Sequence, residues 1–173
     1  MEKIFYTTQR EYPSSEDAVK RILSTVFGVD NARIARMETG KPYLVDIPLF
    51  FSVSHTDGKT FIAFSDANVG IDAERKNRET DFIKILKRFP ESERAEIHSH
   101  EDFIRHWLVK ESAVKWLGGT LASNLRDLRY KCDNLFYKDS PLPVQLCFVE
   151  VDHFLLAVCS ERDFSNVTPT IIP

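Results

Sequence analysis

The 173-residue sequence is poor in cysteine, methionine and glycine, and it has no excess of basic residues. Its three cysteines, Cys132, Cys147 and Cys159, are too few and wrongly spaced for a disulfide framework or a metal site. The last two lie in apolar, strand-like runs, so we expect buried free thiols and a reducing, cytoplasmic location. The formal net charge of -3 excludes a general nucleic-acid binder, which needs a basic surface for phosphate contacts.

Long apolar segments are also missing from the sequence. Residues 1–6 lack the apolar core of a signal peptide, and no later run is long enough to cross a bilayer. We therefore expect a protein that is not secreted and that has neither a membrane nor a nucleic acid among its partners.

The hydrophobic and aromatic residues, at 43% and 12% of the chain, are sufficient for a sizeable core. The predicted elements run strand, helix and several strands, and then strand, helices and several strands again. This order predicts an α+β fold of two pseudo-symmetric halves, residues 1–68 and 69–173, that form one compact unit. Each half is expected to be an antiparallel sheet packed with helices, with the ligand in the cleft between the halves.

Helix signals stand at two places in the chain. Ser14 and Gly28 flank an apolar pattern of helical period, which predicts a helix between them. A longer helix is expected from about Glu101 to Leu117, because Gly118 follows as a stop signal.

Strand signals surround these helices. Asp57-Gly58 predicts a hairpin between two apolar runs, and the strand that begins at Val69 is expected to be the third of the same meander. Four further strands are expected between residues 126 and 160. The polar tail from Ser165 is predicted to be partly ordered at best.

The strand from Val69 carries two acidic side chains. Because side chains alternate along a strand, Asp72 and Glu74 share one face, opposite Val69, Ile71 and Ala73. Gly70 has no side chain, which would let a ligand or another backbone approach closely.

The long helix carries a third acidic group among apolar neighbours. Glu111 follows Trp107 and Leu108 at helical spacing, and Lys115 lies one turn later. A carboxylate held against a core is costly unless a cation or hydrogen bonds offset it. Together with Asp72 and Glu74, Glu111 therefore suggests a Mg²⁺ site completed by a substrate phosphate.

Each motif alone has a simpler explanation. An Asp-x-Glu pair in a strand is most often a solvated face, and His55 at a hairpin end and Lys41 on a turn are most often ordinary surface residues. The joint occurrence of several motifs in order is more informative. These motifs are Gly40–Tyr43, Phe51–Thr56, Gly70–Glu74, Phe89 with Glu93, and Trp107–Lys115.

In this order the motifs resemble the signature of the Sfp-type 4'-phosphopantetheinyl transferases, over about residues 15 to 165. The resemblance implies two pseudo-symmetric α+β halves with coenzyme A at their junction, and transfer of phosphopantetheine to a serine of an apo acyl or peptidyl carrier protein. It implies Mg²⁺ on Asp72, Glu74 and Glu111. The residues that it places on coenzyme A are Lys41, Pro42, Ser54, His55, Lys110 and Lys115.

The resemblance also implies the chemistry of the site. Glu111, directly or through water, is the candidate base for the serine proton, and Lys115 would offset charge on the reacting phosphates. The first half is shorter than is usual in the family, so the residues that hold the 3'-phosphate of coenzyme A stay unassigned, with Lys20 or Arg21 as candidate substitutes for the missing nucleotide-phosphate contacts. Four basic residues are candidates for docking an acidic carrier: Arg75, Lys76, Arg78 and Lys87.

Two other functions stay open from the sequence. One is a non-catalytic module that binds coenzyme A or a carrier protein, and the other is a different Mg²⁺-dependent nucleotide hydrolase. A hydrolase would leave the motif from Trp107 to Lys115 unexplained. Loss of one of the predicted metal-binding carboxylates would favour the non-catalytic module, but all three are present in the sequence. A monomer is expected, with a dimer left open by the short first half.

Overall fold

The computed structural model describes residues 1–8, 12–78, 82–120 and 124–172. Within this part the chain forms four helices and twelve strands. The helices are α1 (Ser15–Phe27), α2 (Phe82–Leu86), α3 (Glu91–Arg94) and α4 (His100–Leu117). The strands are β1 (Lys3–Thr8), β2 (Ile34–Arg36), β3 (Pro42–Leu44), β4 (Phe50–Thr56), β5 (Lys59–Ser65), β6 (Val69–Arg75), β7 (Leu128–Lys131), β8 (Asn134–Tyr137), β9 (Ser140–Pro141), β10 (Gln145–Val151), β11 (Phe154–Ser160) and β12 (Thr170–Ile171).

The first sheet has the strand order β12-β1-β5-β4. Its β4–β5 hairpin turns at Asp57-Gly58, where both residues have positive φ, as the sequence predicts. The apolar face of α1 covers one side of this sheet through Val19, Ile22 and Leu23, which pack with Phe64. Helix α1 starts at the Ser14 cap and ends at Gly28, so both predicted boundaries are confirmed.

The second sheet has the strand order β10-β11-β6, and all its pairs are antiparallel. Helix α4 packs on it, with a Ser99–Asp102 capping box at its start and Gly118 at its end. A small sheet of β7, β8 and β9 covers the opposite side of α4 through Leu128 and Leu135. The α+β class, with antiparallel sheets packed with helices, is thus confirmed; the internal symmetry of two halves stays a prediction.

The expected meander is wrong at its third strand. β5 already pairs with β1 on one edge and β4 on the other, so it has no edge free for β6. β6 pairs with β11 instead, and its other edge meets β4 through side chains. The backbone N–H of Ile71 donates to Ser52 Oγ at 3.1 Å, and that of Ala73 donates to Ser54 Oγ at 3.2 Å. Two serines on β4 therefore join the two sheets.

Gly70 is the point of closest approach between β6 and α4. A Cβ added at Gly70 would lie 2.0 Å from Ser112 O and 2.6 Å from Trp116 N, both backbone atoms of α4. Of the two predicted reasons for this glycine, the structure shows the approach of another backbone. Gly70 thereby lets α4 bring Glu111 and Lys115 close to the acidic strand.

The tail is more ordered than the sequence predicts. Thr170–Ile171 pairs in parallel with β1, and Ile172 is 4% exposed in the core beneath α1. The polar composition of the tail gives no sign that Ile172 is an apolar anchor, because the core in which Ile172 packs exists only after folding. Residues 170–172 therefore belong with the first sheet. The division of the chain into halves 1–68 and 69–173 stays a prediction. Among the described helices, none is both long and apolar enough to span a membrane.

Candidate functional site

Asp72 on β6 is the centre of a small polar cluster. It is 7% exposed, and its Oδ1 accepts hydrogen bonds from Ser54 Oγ and from Lys115 Nζ, each at 2.8 Å. Lys115 Nζ also donates to Ile71 O at 3.0 Å. The hydroxyl of Ser54 spans β4 and β6, so it fixes the carboxylate relative to both sheets.

Glu74 lies two residues further along the same face of β6. It is 6% exposed, and its Oε2 accepts a hydrogen bond from Thr56 Oγ1 at 3.1 Å. Its other oxygen forms an ion pair with Arg78. The opposite face of β6, with Val69 and Ile71, packs in the core, as the predicted alternation requires.

Glu111 completes the acidic group from the side of α4. The pKa of this carboxyl is raised to about 7, first by burial and then by the charge of Asp72; Lys115 acts in the opposite direction, and Glu74 adds a smaller rise. Helix α4 is buried on most of its surface, and Glu111 is on the part that faces the acidic strand β6. Its environment is therefore more polar than the apolar stripe that the sequence suggests. The three carboxylates therefore influence one another.

The chemistry of these donors fits Mg²⁺, which prefers carboxylate oxygens together with water and phosphate. Within the described ranges, however, no three acidic, histidine or cysteine side chains are gathered closely enough to hold a metal ion. Asp72 is bonded to Lys115, and Glu74 is bonded to Arg78. A cation would have to displace these two basic groups from the carboxylates.

A cavity of about 450 Å³ opens beside this cluster. Four of the six residues predicted to contact coenzyme A line it: Lys41, Pro42, His55 and Lys115. Burial, and then the charge of Lys115, lower the pKa of His55, so its imidazole is more readily neutral than an exposed one. Ser54 lies behind the cavity wall, bonded to Asp72.

Lys41 lies in a more enclosed position than its turn predicts. Its Nζ donates to Asn68 Oδ1 at 2.5 Å and to Trp116 O at 3.0 Å. Burial lowers its pKa to about 8. The lysine thus joins the Gly40–Pro42 turn to the last turn of α4, where carbonyl groups favour a cation.

Lys110, like Ser54, is a predicted coenzyme residue that does not line the cavity. It is fully buried, with its Nζ 2.7 Å from Glu93 Oε2 and 4.8 Å from the centre of the Phe89 ring. Glu93 is also 2.9 Å from His106 Nδ1, through its other oxygen. Successive helical residues point about 100° apart, so Lys110 faces α3 while Glu111 faces β6. These contacts give Lys110 a place in the packing of α4 on α3, while its predicted contact with coenzyme A stays a prediction.

Two polar contacts of the site were missed in the sequence. Thr56 and Arg78 hold Glu74, and Thr56 could have been found because hydroxyl residues alternate along β4 at Ser52, Ser54 and Thr56. Three of the four predicted basic docking residues, Arg75, Lys76 and Arg78, are themselves paired with carboxylates. Arg75 contacts Asp57 at 2.9 Å, and Lys76 contacts Glu150 at 2.5 Å.

Known proteins are similar in sequence to this chain over the part that carries the site. The family model of the 4'-phosphopantetheinyl transferase superfamily matches residues 68–153, which include β6 and α4. The 4'-phosphopantetheinyl transferase gsp of Aneurinibacillus migulanus is 35% identical over 109 residues, which are 58% of this chain and 45% of that protein. The 4'-phosphopantetheinyl transferase Sfp of Bacillus subtilis (strain 168) is 27% identical over 158 residues, 82% of this chain and 70% of that protein.

A vertebrate protein is similar to this chain over a length between those of the two bacterial matches. The L-aminoadipate-semialdehyde dehydrogenase-phosphopantetheinyl transferase of Rattus norvegicus is 31% identical over 121 residues, 58% of this chain and 39% of that protein. The chain thus spans less than half the length of two of these three relatives. Since the matched segment holds the acidic strand and the long helix that faces it, the chain belongs to the Sfp type of the 4'-phosphopantetheinyl transferase superfamily.

Proposed function

We propose that this chain transfers the 4'-phosphopantetheine group of coenzyme A to a serine of an apo acyl or peptidyl carrier protein. The reaction would depend on Mg²⁺ and release 3',5'-ADP. The observation that carries this proposal is that Asp72 and Glu74 act electrostatically on Glu111 and that Asp72 bonds Lys115, which lines a cavity of about 450 Å³. The relatives named as phosphopantetheinyl transferases support the same reaction.

In this reaction the serine oxygen forms a bond to the β-phosphorus of coenzyme A. The bond from that phosphorus to the bridging oxygen breaks, and 3',5'-ADP leaves with the bonding electrons. Glu111 is suited to accept the serine proton, because without metal its carboxyl has a pKa of about 7, which is in the range of a general base at neutral pH. Phosphoryl-type transfer otherwise needs alignment and neutralisation of charge.

The other residues of the site supply alignment and charge. Lys115 would exchange Asp72 for the phosphate oxygens, since its side chain both bonds Asp72 and lines the cavity. Ser54 and Thr56 hold Asp72 and Glu74 in place from β4. Asp72, Glu74 and Glu111 would hold Mg²⁺, which when bound neutralises charge on the pyrophosphate.

The test is to incubate the full chain with coenzyme A, Mg²⁺ and several apo carrier proteins, and to weigh each intact carrier by mass spectrometry. We expect a mass gain of one phosphopantetheine group and equimolar 3',5'-ADP. The control carrier has its acceptor serine changed to alanine and should gain nothing. When Mg²⁺ is omitted and excess chelator is added, the carrier should show no mass gain.

The same experiment separates the alternatives. Coenzyme A binding without any mass gain on the carriers would support a non-catalytic module. Release of nucleotide without carrier modification would support a hydrolase. We further propose that the chain is a monomer and that it is located in the cytoplasm. The three free cysteines favour this location. Light scattering of the purified chain tests the monomer.

A further inference from the structure

The cavity beside the acidic cluster contains a charged pair to which the proposed reaction gives no role. Arg36 on β2 and Glu16 in the first turn of α1 both line it. One guanidinium nitrogen of Arg36, Nη2, lies 2.9 Å from Glu16 Oε1. The other, Nη1, donates to Gly40 O at 3.2 Å. The Gly40 contact fixes the guanidinium on the same turn that presents Lys41 and Pro42 to the cavity.

The other cations of this cavity are engaged elsewhere. Lys41 donates to Asn68 and to the end of α4 and is largely withdrawn from solvent. Lys115 is bonded to Asp72, where the pyrophosphate would react. Arg36, by contrast, has a side chain that is 59% exposed, and its guanidinium contacts Glu16 and the carbonyl oxygen of Gly40. Its exchangeable partner is a half-exposed surface carboxylate, and such pairs are weak.

Coenzyme A carries two anionic groups that a site must accommodate. The pyrophosphate belongs beside Lys115 and the carboxylates under the proposed function, on which this inference rests. The second group is the phosphomonoester on the 3' oxygen of the ribose. A planar guanidinium donates two parallel hydrogen bonds to phosphate oxygens, and a phosphate dianion competes well with a single carboxylate.

We infer that Arg36 binds the 3'-phosphate of coenzyme A and makes the chain discriminate coenzyme A from 3'-dephospho-coenzyme A. Arg36 exchanges Glu16 for the phosphate when the nucleotide enters. Glu16 acts against binding, because it occupies the guanidinium and adds a negative charge to the cavity wall. Arg36 is thus a specificity residue outside the motifs that identify the family.

The test is calorimetric titration of the wild-type chain and of Arg36→Gln with coenzyme A and with 3'-dephospho-coenzyme A. Wild type should bind coenzyme A more tightly, by roughly 10- to 100-fold, the range for a hydrogen bond between charged groups. Arg36→Gln should lose this preference by weakening coenzyme A binding alone. Arg36→Lys should retain part of it, because the ammonium keeps the positive charge but not the paired hydrogen bonds of the guanidinium.

Two further variants sharpen the test. Glu16→Gln should tighten coenzyme A binding and leave 3'-dephospho-coenzyme A nearly unchanged. Arg33→Gln is the matched control, since Arg33 is an exposed arginine that pairs with Asp46 at 2.9 Å and lies outside the cavity lining. It should bind both nucleotides as wild type does.

The outcomes separate this inference from the proposed function. If Arg36→Gln keeps the full preference, or weakens both nucleotides equally, the assignment of Arg36 is overturned while the transfer reaction stands. If wild type binds neither nucleotide, both the assignment and the proposed function fail. A preference that disappears only in Arg36→Gln supports the assignment.

Discussion

Glu111 is the residue at which stability and proposed chemistry make opposite demands. Its pKa in the folded chain is about 7, against 4.5 as the ordinary value, because it is buried near two other carboxylates. Between these two pH values the folded chain binds more protons than the unfolded chain. Stability in the absence of metal must therefore fall as the pH rises from about 4.5 to 7, by roughly 3 kcal/mol at most.

Glu111→Gln should remove this pH dependence. In excess chelator the variant should be more stable than wild type at pH 8 and should approach it near pH 5, while transfer in Mg²⁺ falls by roughly 10²-fold or more. Urea denaturation across this pH range and single-turnover rates give both quantities. Glu101→Gln, at an exposed position on the same helix, is the control. Parallel pH profiles for wild type and Glu111→Gln would contradict the prediction.

Lys41 shows how a motif residue can serve the fold. Lys41→Met keeps the length of the side chain but leaves Asn68 Oδ1 without this donor and removes one of the two side-chain donors of Trp116 O. We expect a loss of roughly 1 to 3 kcal/mol in the free energy of unfolding, the cost of unpaired buried polar groups. Urea denaturation measures it, and Lys20→Met on the exposed side of α1 is the control. An unchanged stability would mean that the contacts with Asn68 and Trp116 do not stabilise the fold, and that only a bound nucleotide would hold Lys41 in place.

Helix α4 is the element on which the site depends, and Gly70 sets its distance from β6. Gly70→Ala would place a methyl group against backbone atoms of α4 that cannot rotate away. We expect a loss of about 3 kcal/mol or more and a displaced Glu111, with transfer reduced in the folded fraction. Gly58→Ala meets no atom within 4 Å and strains only its positive φ, so it should cost about 1 kcal/mol. Equal losses in the two variants would refute this role of Gly70.

The buried group of Glu93, His106 and Lys110 fixes α4 against α3. Glu93→Gln leaves the buried ammonium of Lys110 without its counter-ion, which should cost roughly 3 to 5 kcal/mol. The double variant Glu93→Gln with Lys110→Met should recover much of this loss, because the uncompensated charge is gone. Thermal and urea unfolding of the single and double variants measure it.

Coenzyme A binding separates this structural role of Lys110 from the role that the family resemblance implies. If Lys110 contacts coenzyme A, Lys110→Met should weaken its binding in fully folded protein. If Lys110 serves packing, the affinity of the folded fraction stays at the wild-type value. The burial of Lys110 and its distance of 2.7 Å from Glu93 favour the second result.

At the scale of the whole molecule, the end of the chain closes the first core. Ile172 is buried beneath α1, and its backbone N–H donates to Tyr6 O at 3.1 Å. Ile172→Ala should therefore cost roughly 2 to 4 kcal/mol. The neighbouring Ile171 is 59% exposed, and Ile171→Ala should stay within about 0.5 kcal/mol of wild type. Similar stabilities for the two variants would show that the tail does not anchor the sheet.

The sequence by itself determined the local features of this protein. The caps at Ser14 and Gly118, the hairpin at Asp57-Gly58 and the shared face of Asp72 and Glu74 follow from signals within a few residues. Such signals depend on backbone preferences and on the periods of helix and strand, which are the same in any fold. The motif order also indicated the family before any contact was known.

Only the tertiary structure decided which elements meet. β6 lies beside β11 and not β5, because β5 has no free edge, and the tail reaches β1 only once that edge exists. Lys110 and Glu111 are neighbours in sequence, yet one faces a buried carboxylate and the other faces the acidic strand. Burial and partners depend on contacts between residues far apart in the chain. A local pattern of residues does not encode those contacts, because each long-range pairing depends on the edges and faces that the rest of the fold leaves open.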